Sequence, residues 1–512
     1  MSSSLVKGPG RNILVIEDNT HSSTHNYHPT TPRTRTVPPH SYPTRALEFL
    51  RNINTASTTS KISSPSDISL TCSLRILVVG AGLGGLATSI ALALSNQNHH
   101  ITVLEQSPVL SEVGAGIQLP SNITRLLIRW GVISHLEGYL IQPQDNWVRR
   151  WQDGSIVGRT PLNPNFEKTF GAPYYVIHRA HLHSGLHARA IELGVEVRVA
   201  SKVVEYMEQD EAIVRLETGE IIMADLVIGA DGIKSLAREF VTGRKGIERP
   251  TGYAAYRATV DYEKMKEKGL DSLLREAPGL NLWMGEHRHV MTYQIADGKS
   301  FNVVMSHCDT TDPKTWKQGE VVESIKKDFA GWDPRLIGIV SLITSALKWP
   351  LLETPKLKTW VSCSSRIVIL GDAAHAMLPY MAQGAAMAME DGAALAIALS
   401  KMTSACQLPF ALRVFEKERM KRSGDMQDAS MVSGYIWHLP DGPEQEARDA
   451  AMAAEKDGKR QVWSSSQWSD PVAAWWCFGY DAEREMERAW DQEVSELITQ
   501  KSARLENLKS KI

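Results

Sequence analysis

An α/β fold is predicted by one pattern that occurs at three separated places: a short apolar run, a turn containing glycine, then a helix-like segment. The first is RILVVGAGLGGLATSIALAL over residues 75–94. The second is DLVIGADGIKSLAR over 225–238, and the third is RIVILGDAAH over 366–375, which leads into a helix-like run at 383–402. Residues 250–309 hold mostly strand-like segments, and from Pro409 onward the pattern is helical and amphipathic.

The first unit is the most informative. Residues 76–79 are continuously apolar and partly β-branched, as a strand buried on both faces should be. Gly80, Gly82 and Gly85 follow in the G-x-G-x-x-G spacing. The first glycine allows a tight turn, the second lets backbone approach a pyrophosphate, and the third lets helix and strand pack closely. Free N–H groups at the start of the helical segment 86–95 would point at the phosphates. A second strand at 101–104 is closed by Glu105, 20 residues after Gly85, where a carboxylate accepts hydrogen bonds from a ribose hydroxyl. These features together read as a Rossmann-like dinucleotide-binding unit. Residues 76–95 are 20 in number and carry no charge, long enough to span a bilayer. Their four glycines and the strand that follows fit a buried strand–turn–helix better, so no membrane span is expected.

Composition narrows the classes. The chain has 512 residues and a formal net charge of −2, without a basic stripe, so no nucleic-acid partner is expected. The five cysteines (Cys72, Cys308, Cys363, Cys406, Cys477) form no C-x-x-C pair, which argues against a disulfide scaffold or a metal site. The 14 tryptophans, several crowded toward the C-terminus, read as packing residues. Residues 1–70 are rich in Ser, Thr, Pro and His with only four acids, and a disordered tail is expected. A transit peptide or an over-extended gene model are the alternatives there. His21, His25, His28 and His40 are expected to be solvated.

The remaining elements follow in order. The loop at 113–120, which contains Ala115 and Gly116, precedes a helical run at 122–130. Residues 147–161 alternate as strands do, with Asp153-Gly154 as a hairpin turn. His178-Arg179 precedes a helix reaching about Leu193, and short strands follow at 195–199, 203–207 and 213–216. In the second unit Asp231-Gly232 forms the turn before a helix near Ser235. Further strands are expected at 252–260, 289–295 and 301–306, and helices at 320–330 and 334–345. There is no internal repeat and no second G-x-G-x-x-G.

In this order the motifs resemble the single-component flavoprotein monooxygenases, specifically the salicylate hydroxylase-like branch. The resemblance is carried by GAGLGG at 80–85 with Glu105, GADGIKSLAR at 229–238 and GDAAHAMLPYMAQGAAMAMEDGAAL at 371–395. Support comes from VGAGIQLPSN at 113–122, His178-Arg179, HVMTYQIADGKSFN at 289–302 and GYDAEREMERAW at 479–490. It implies a Rossmann-like FAD-binding domain, discontinuous in sequence, with an inserted sheet-based substrate domain and a helical C-terminal region. The implied parts are 71–250 and 361–408 for FAD, with a small hairpin insertion at about 144–175, then 251–360 for substrate and 409–512 helical.

What the resemblance implies chemically is FAD as cofactor, NADH or NADPH as transient co-substrate, and O₂. A flavin C4a-hydroperoxide would transfer its distal oxygen to a small aromatic or phenolic acid. Beyond the glycines and Glu105, it assigns cofactor contacts to Ala115, Gly116, Arg179, Asp231, Asp372, Pro379, Gly384 and Ala385. The helix opened by Gly384 would direct its positive end at the flavin. Arg179 has a surface ion pair as its plainer alternative, and Asp231 a turn-forming Asp-Gly. Glu390 and Asp391 are expected to serve in salt bridges or capping. Arg257 and Tyr293 are the substrate-handling residues implied, with ordinary sheet residues as the alternative. Gln294 and Ala376 depart from the family's usual prolines. His287 and His289 read as strand-end histidines rather than bases. A monomer or homodimer is expected, in the cytoplasm, or in mitochondria should the tail be a transit peptide. Two other readings stand beside this one: oxygenation or epoxidation of a non-aromatic secondary metabolite, and flavin binding without turnover.

Overall fold

The computed structural model describes residues 4–8, 11–15, 72–95, 97–110, 115–271, 273, 279–296, 298–456 and 463–509. The chain divides into two units, residues 1–57 and 58–512. In the first, strands Ser4–Gly8 and Arg11–Val15 pair as an antiparallel hairpin. The β-branched Val6, Ile13 and Val15 suit that pairing. The rest of the tail, with its histidines, lies outside the described residues.

The second unit is organised by a five-stranded, all-parallel sheet. Its strands lie in the order Ile367–Ile369, Leu226–Gly229, Arg75–Val79, His100–Leu104, Glu196–Arg198. The central position of Arg75–Val79 explains its composition: Ile76, Leu77, Val78 and Val79 are all buried. Helix Leu83–Leu94 lies against helix Gly384–Ser400. Small residues set that spacing, since a Cβ on Gly392 would stand 2.7 Å from the Thr88 Cα and one on Gly84 would stand 3.0 Å from the Ala388 Cβ. The stretch 76–95 is thus part strand and part helix, and among the described residues no helix is long and apolar enough to cross a membrane.

A seven-stranded sheet forms the second layer, ordered Leu347–Glu353, Arg249–Asp261, Ser300–Cys308, Arg288–Ile295, Gly279–Gly285, Asp145–Arg150, Ile156–Pro161. The hairpin expected as a small insertion at about 144–175 is instead the far edge of this sheet, with Asp145–Arg150 parallel to Gly279–Gly285. Strand alternation sorts its side chains between two cores. Tyr256, Ala258, Val290, Phe301, Val303 and Met305 join an outer core with Phe329, Trp332 and Leu336, which helices Val321–Asp328 and Pro334–Val340 supply. Arg257, His289, Met291, Tyr293 and Val304 take the opposite face. Two smaller antiparallel sheets, 203–224 and the pair Gly116–Leu119 with Tyr175–His178, complete the β structure. Helices Leu408–Trp437, Pro443–Lys456, Pro471–Phe478 and Ala482–Lys509 form the C-terminal part.

Candidate active site

The N-terminal ends of helices Leu83–Leu94 and Gly384–Ser400 open onto one cavity of about 350 Å³, whose opposite wall is the inner face of the seven-stranded sheet. Neither helix has a side-chain cap at its first turn, so backbone N–H groups are left to a ligand or to water. Two such ends suit an anionic group. Gly82, Gly84, Gly384 and Ala385 line the cavity, and a Cβ on Gly82 or Gly384 would meet nothing within 4 Å. Space is therefore kept at these points for something other than the chain itself. Gly80 and Gly85 are glycine for a different reason and do not line the cavity. Gly80 has φ +106°, and a Cβ there would stand 2.4 Å from the Ala230 carbonyl oxygen; one on Gly85 would stand 1.9 Å from that of Gly80.

Glu105 ends the second strand and accepts hydrogen bonds from the Ala81 N–H and the Ser107 N–H, each at 2.9 Å. It pins the glycine turn, and its carboxylate retains lone pairs for a ribose. In the loop that follows, residues 111–114 lie outside the described residues. Ala115 is buried and its carbonyl accepts from the Arg179 N–H at 3.1 Å. The Gly116 N–H donates to Asn302 Oδ1 at 2.8 Å, and a Cβ on Gly116 would stand 2.4 Å from the Tyr293 ring. Gly116 and Arg179, the latter at the start of helix Arg179–Glu192, both line the cavity.

Asp231 sits in the turn-forming position left as its alternative: its Oδ2 accepts from the Ala237 N–H at 3.0 Å and from the Tyr206 hydroxyl at 3.3 Å. Burial pushes its carboxyl up despite those bonds, and its Oδ1 is buried without a partner. Its neighbours Ala230 and Gly232, rather than Asp231, line the cavity. Asp372 is exposed to the cavity at the start of helix Asp372–His375, and Pro379 lines it too.

Beneath helix Gly384–Ser400 lies a charged cluster. Arg419 donates to Asp391 Oδ1 at 2.8 Å and to Glu390 Oε2 at 2.9 Å, and Arg422 donates to both Glu390 oxygens at 3.1 and 3.2 Å. Asp391 also receives His375 Nε2 at 2.6 Å and the Gly371 N–H at 3.0 Å. Asn122 donates to Glu390 at 2.7 Å and to the cavity-lining Gln383 at 2.9 Å. All these acids and arginines are buried. The expected salt-bridge role of Glu390 and Asp391 thus has geometry, and it fixes the third motif to the long C-terminal helix.

On the sheet wall, Arg257 lines the cavity with its Nε buried and without a hydrogen-bond partner. Burial lowers its affinity for a proton, Tyr293 opposes that and Arg179 adds to it, yet a guanidinium keeps its charge. Tyr293 is buried, which pushes its hydroxyl up, while Arg257 and a hydrogen bond with Gln118 pull the other way. The structure therefore brings Gly82, Gly116, Arg179, Arg257, Tyr293, Asp372, Pro379, Gly384 and Ala385 to one cavity, and leaves Gly80, Gly85, Glu105, Ala115 and Asp231 behind it. Sequence reasoning missed Gln118, Tyr380, Gln383, Trp437 and Trp468, which also line it, and placed His289 as a mere strand end. Tyr380 was within reach, since it follows Pro379 in the third motif; Trp437 and Trp468 carry no such signal.

Residues 73–430 match the family model described as an FAD binding domain. The chain is 34% identical over 411 residues to the FAD-dependent monooxygenase OpS4 of Beauveria bassiana (strain ARSEF 2860), covering 80% of this chain and 95% of that protein. It is 34% identical over 394 residues to the 3-amino-4-hydroxybenzoate 2-monooxygenase of Streptomyces cremeus, covering 76% and 94%. A salicylate hydroxylase solved as a substrate complex superposes with TM-score 0.66 at 25% identity, over 81% of this chain and 98% of that one. The glycine turn and the two uncapped helix ends fit FAD, and with these likenesses the chain belongs to the single-component FAD-dependent monooxygenases, in the salicylate hydroxylase-like branch.

Proposed function

We propose that this enzyme hydroxylates a small aromatic or phenolic acid, with NADH or NADPH as reductant and O₂ as the oxygen donor. One observation carries the substrate class: the half-buried Arg257 lines the cavity wall, and its Nε–H is buried without a partner. An unpaired buried donor is costly, and a carboxylate or phenolate offers Arg257 a charge-assisted bond. Arg179 on the same cavity strengthens that preference for an anion.

In this reading residues 71–250 and 361–408 hold the cofactor, and 251–360 with the edge hairpin hold substrate. Bound FAD supplies the electron transfer from the nicotinamide and the activation of O₂. The chain supplies placement. N–H groups at Gly82 and at the Gly384 helix end hold the anionic parts of the cofactor, and Asp372 accepts from one of its hydroxyls. Tyr293, held by Gln118, orients the substrate ring, and Met291, Val304 and Trp437 keep water from it.

The test is to follow NAD(P)H oxidation by the FAD-loaded protein across salicylates, hydroxybenzoates, phenols and unrelated metabolites. Stimulation by an aromatic acid, with matching hydroxylated product, is expected. Stimulation only by a non-aromatic metabolite would refute the substrate class, and reoxidation that yields peroxide alone would refute turnover.

A further inference from the structure

We propose that Trp468 determines substrate specificity, its indole N–H bonding an oxygen or nitrogen acceptor that the substrate carries away from its carboxylate. The inference rests on the aromatic-acid reading above and names a second feature of that acid. Trp468 precedes helix Pro471–Phe478 and lies beyond residues 73–430, the part matched as an FAD binding domain. It nevertheless lines the cavity. Only 3% of its surface is exposed, and its Nε1 is buried with no hydrogen-bond partner.

The indole is held in place from both sides along the chain. Gln467 Nε2 donates to the Ala429 carbonyl on helix Leu408–Trp437 at 3.0 Å. The hydroxyls of Ser469 and Thr160 lie 2.6 Å apart, which ties the segment to strand Ile156–Pro161. Asp470 accepts from the Val472 and Ala473 N–H groups and so caps the next helix. Tyr174 and Phe478 flank the ring, with centroids at 6.2 and 5.7 Å. Tyr174 offers the indole no acceptor, because its hydroxyl is committed to Gln118 Oε1 at 2.6 Å. Phe478 has no polar atom in its side chain. The indole proton is therefore left for a molecule in the cavity, and indole is a donor only.

Position separates this donor from the carboxylate-binding end. Thr160, to which the segment is tied, sits on the edge strand of the seven-stranded sheet, whereas Arg257 sits on the strand next to the opposite edge. Tyr293 lies on a strand between them. An acid whose carboxylate reaches Arg257 thus directs its far side toward Trp468. A carbonyl, ether oxygen or ring nitrogen there satisfies the indole, while a hydrocarbon group leaves a buried donor unpaired. Sites built around such donors reject analogues that lack the matching atom.

The test uses 3- and 4-acetylbenzoate beside 3- and 4-isopropylbenzoate, pairs of nearly equal size that differ in the acceptor. Affinities for the FAD-loaded enzyme are read from perturbation of the flavin absorbance. Wild type is expected to prefer the acetyl member of at least one pair by roughly tenfold or more, and W468F, which keeps an aromatic wall, should bring that ratio to about one. A role in packing alone would weaken both members of a pair equally. In protein labelled with nitrogen-15 tryptophan, the indole N–H signal absent from W468F should move downfield with the preferred acetylbenzoate and stay in place with its isopropyl partner. Binding of both members without preference, a preference that survives in W468F, or an indole signal that the bound acetylbenzoate leaves in place would each overturn the proposal and leave the aromatic-acid reading intact. Failure of all four benzoates and of the hydroxybenzoates to bind would overturn both. Should W468F not retain flavin, the wild-type spectrum decides: an indole signal other than the one that W437F removes must follow the acetyl member alone, and the absence of such a signal overturns the proposal.

Discussion

Replacing Arg419 by Met tests whether the buried cluster is what secures the third motif. Arg419 is fully buried and holds Asp391 at 2.8 Å and Glu390 at 2.9 Å. Glu390 keeps Arg422 and Asn122 in the variant, so the loss concentrates on Asp391, which retains His375 and the Gly371 N–H. Breaking a buried pair costs about 3–5 kcal/mol, and two surviving partners place this case near the lower end, about 3 kcal/mol. The loss has a pH signature. Burial pushes the Asp391 carboxyl up, but attraction to His375 and Arg419 and the bonds it accepts hold it below the ordinary carboxylate range. A depressed carboxyl contributes stability above its unfolded value and loses it as pH falls through the folded one. Without Arg419 the folded value rises, so the deficit is full at neutral pH and shrinks only as the pH falls below about 4 toward the depressed folded value of the wild type. Urea unfolding at fixed excess FAD, read by circular dichroism across that range, measures it. A deficit under about 1 kcal/mol at neutral pH, or one that stays constant as the pH falls, would refute the assignment.

Three further outcomes are expected. Gly85→Ala places a Cβ 1.9 Å from the Gly80 carbonyl oxygen and should abolish flavin retention, read as loss of visible absorbance after desalting. Arg257→Ala should weaken 3-hydroxybenzoate binding by about 2 kcal/mol, roughly thirtyfold, with the flavin spectrum of the free enzyme unchanged. Gly434→Ala sets a Cβ 2.7 Å from the Tyr380 ring; it should push that ring into the cavity and raise KM while flavin content stays at the wild-type level.

What the sequence disclosed follows from range. The glycine turn, its strand and its helix are local, and the residues that shape them are adjacent, so residues 75–105 were legible in detail. The third motif was legible for the same reason, including the structural role of Glu390 and Asp391. The partners of those two acids, Arg419 and Arg422, lie on another helix and carry no spacing signal. Strand Asp145–Arg150 pairs with Gly279–Gly285 across more than a hundred residues of chain, and nothing in either segment names the other. The aromatic lining from Tyr380, Trp437 and Trp468 arises only when the C-terminal helices meet the sheet. Asp231 shows the reverse case: Asp-Gly announced a turn, and the structure spends one carboxylate oxygen on that turn while leaving the other unpartnered.

The strand order of the parallel sheet has a consequence for biosynthesis. Arg75–Val79 emerges early, but its sheet is completed at one edge by Ile367–Ile369, and helix Gly384–Ser400, which covers Leu83–Leu94, comes later still. At roughly 5–20 residues per second, tens of seconds separate these events on a ribosome. During that interval the glycine turn exists without the helix end that faces it. Cofactor capture is therefore a late event in the life of each nascent chain. The apolar face of Leu83–Leu94 must be shielded until the third motif arrives, so the yield of active protein in a cell should depend on chaperone capacity and on FAD supply at the end of synthesis.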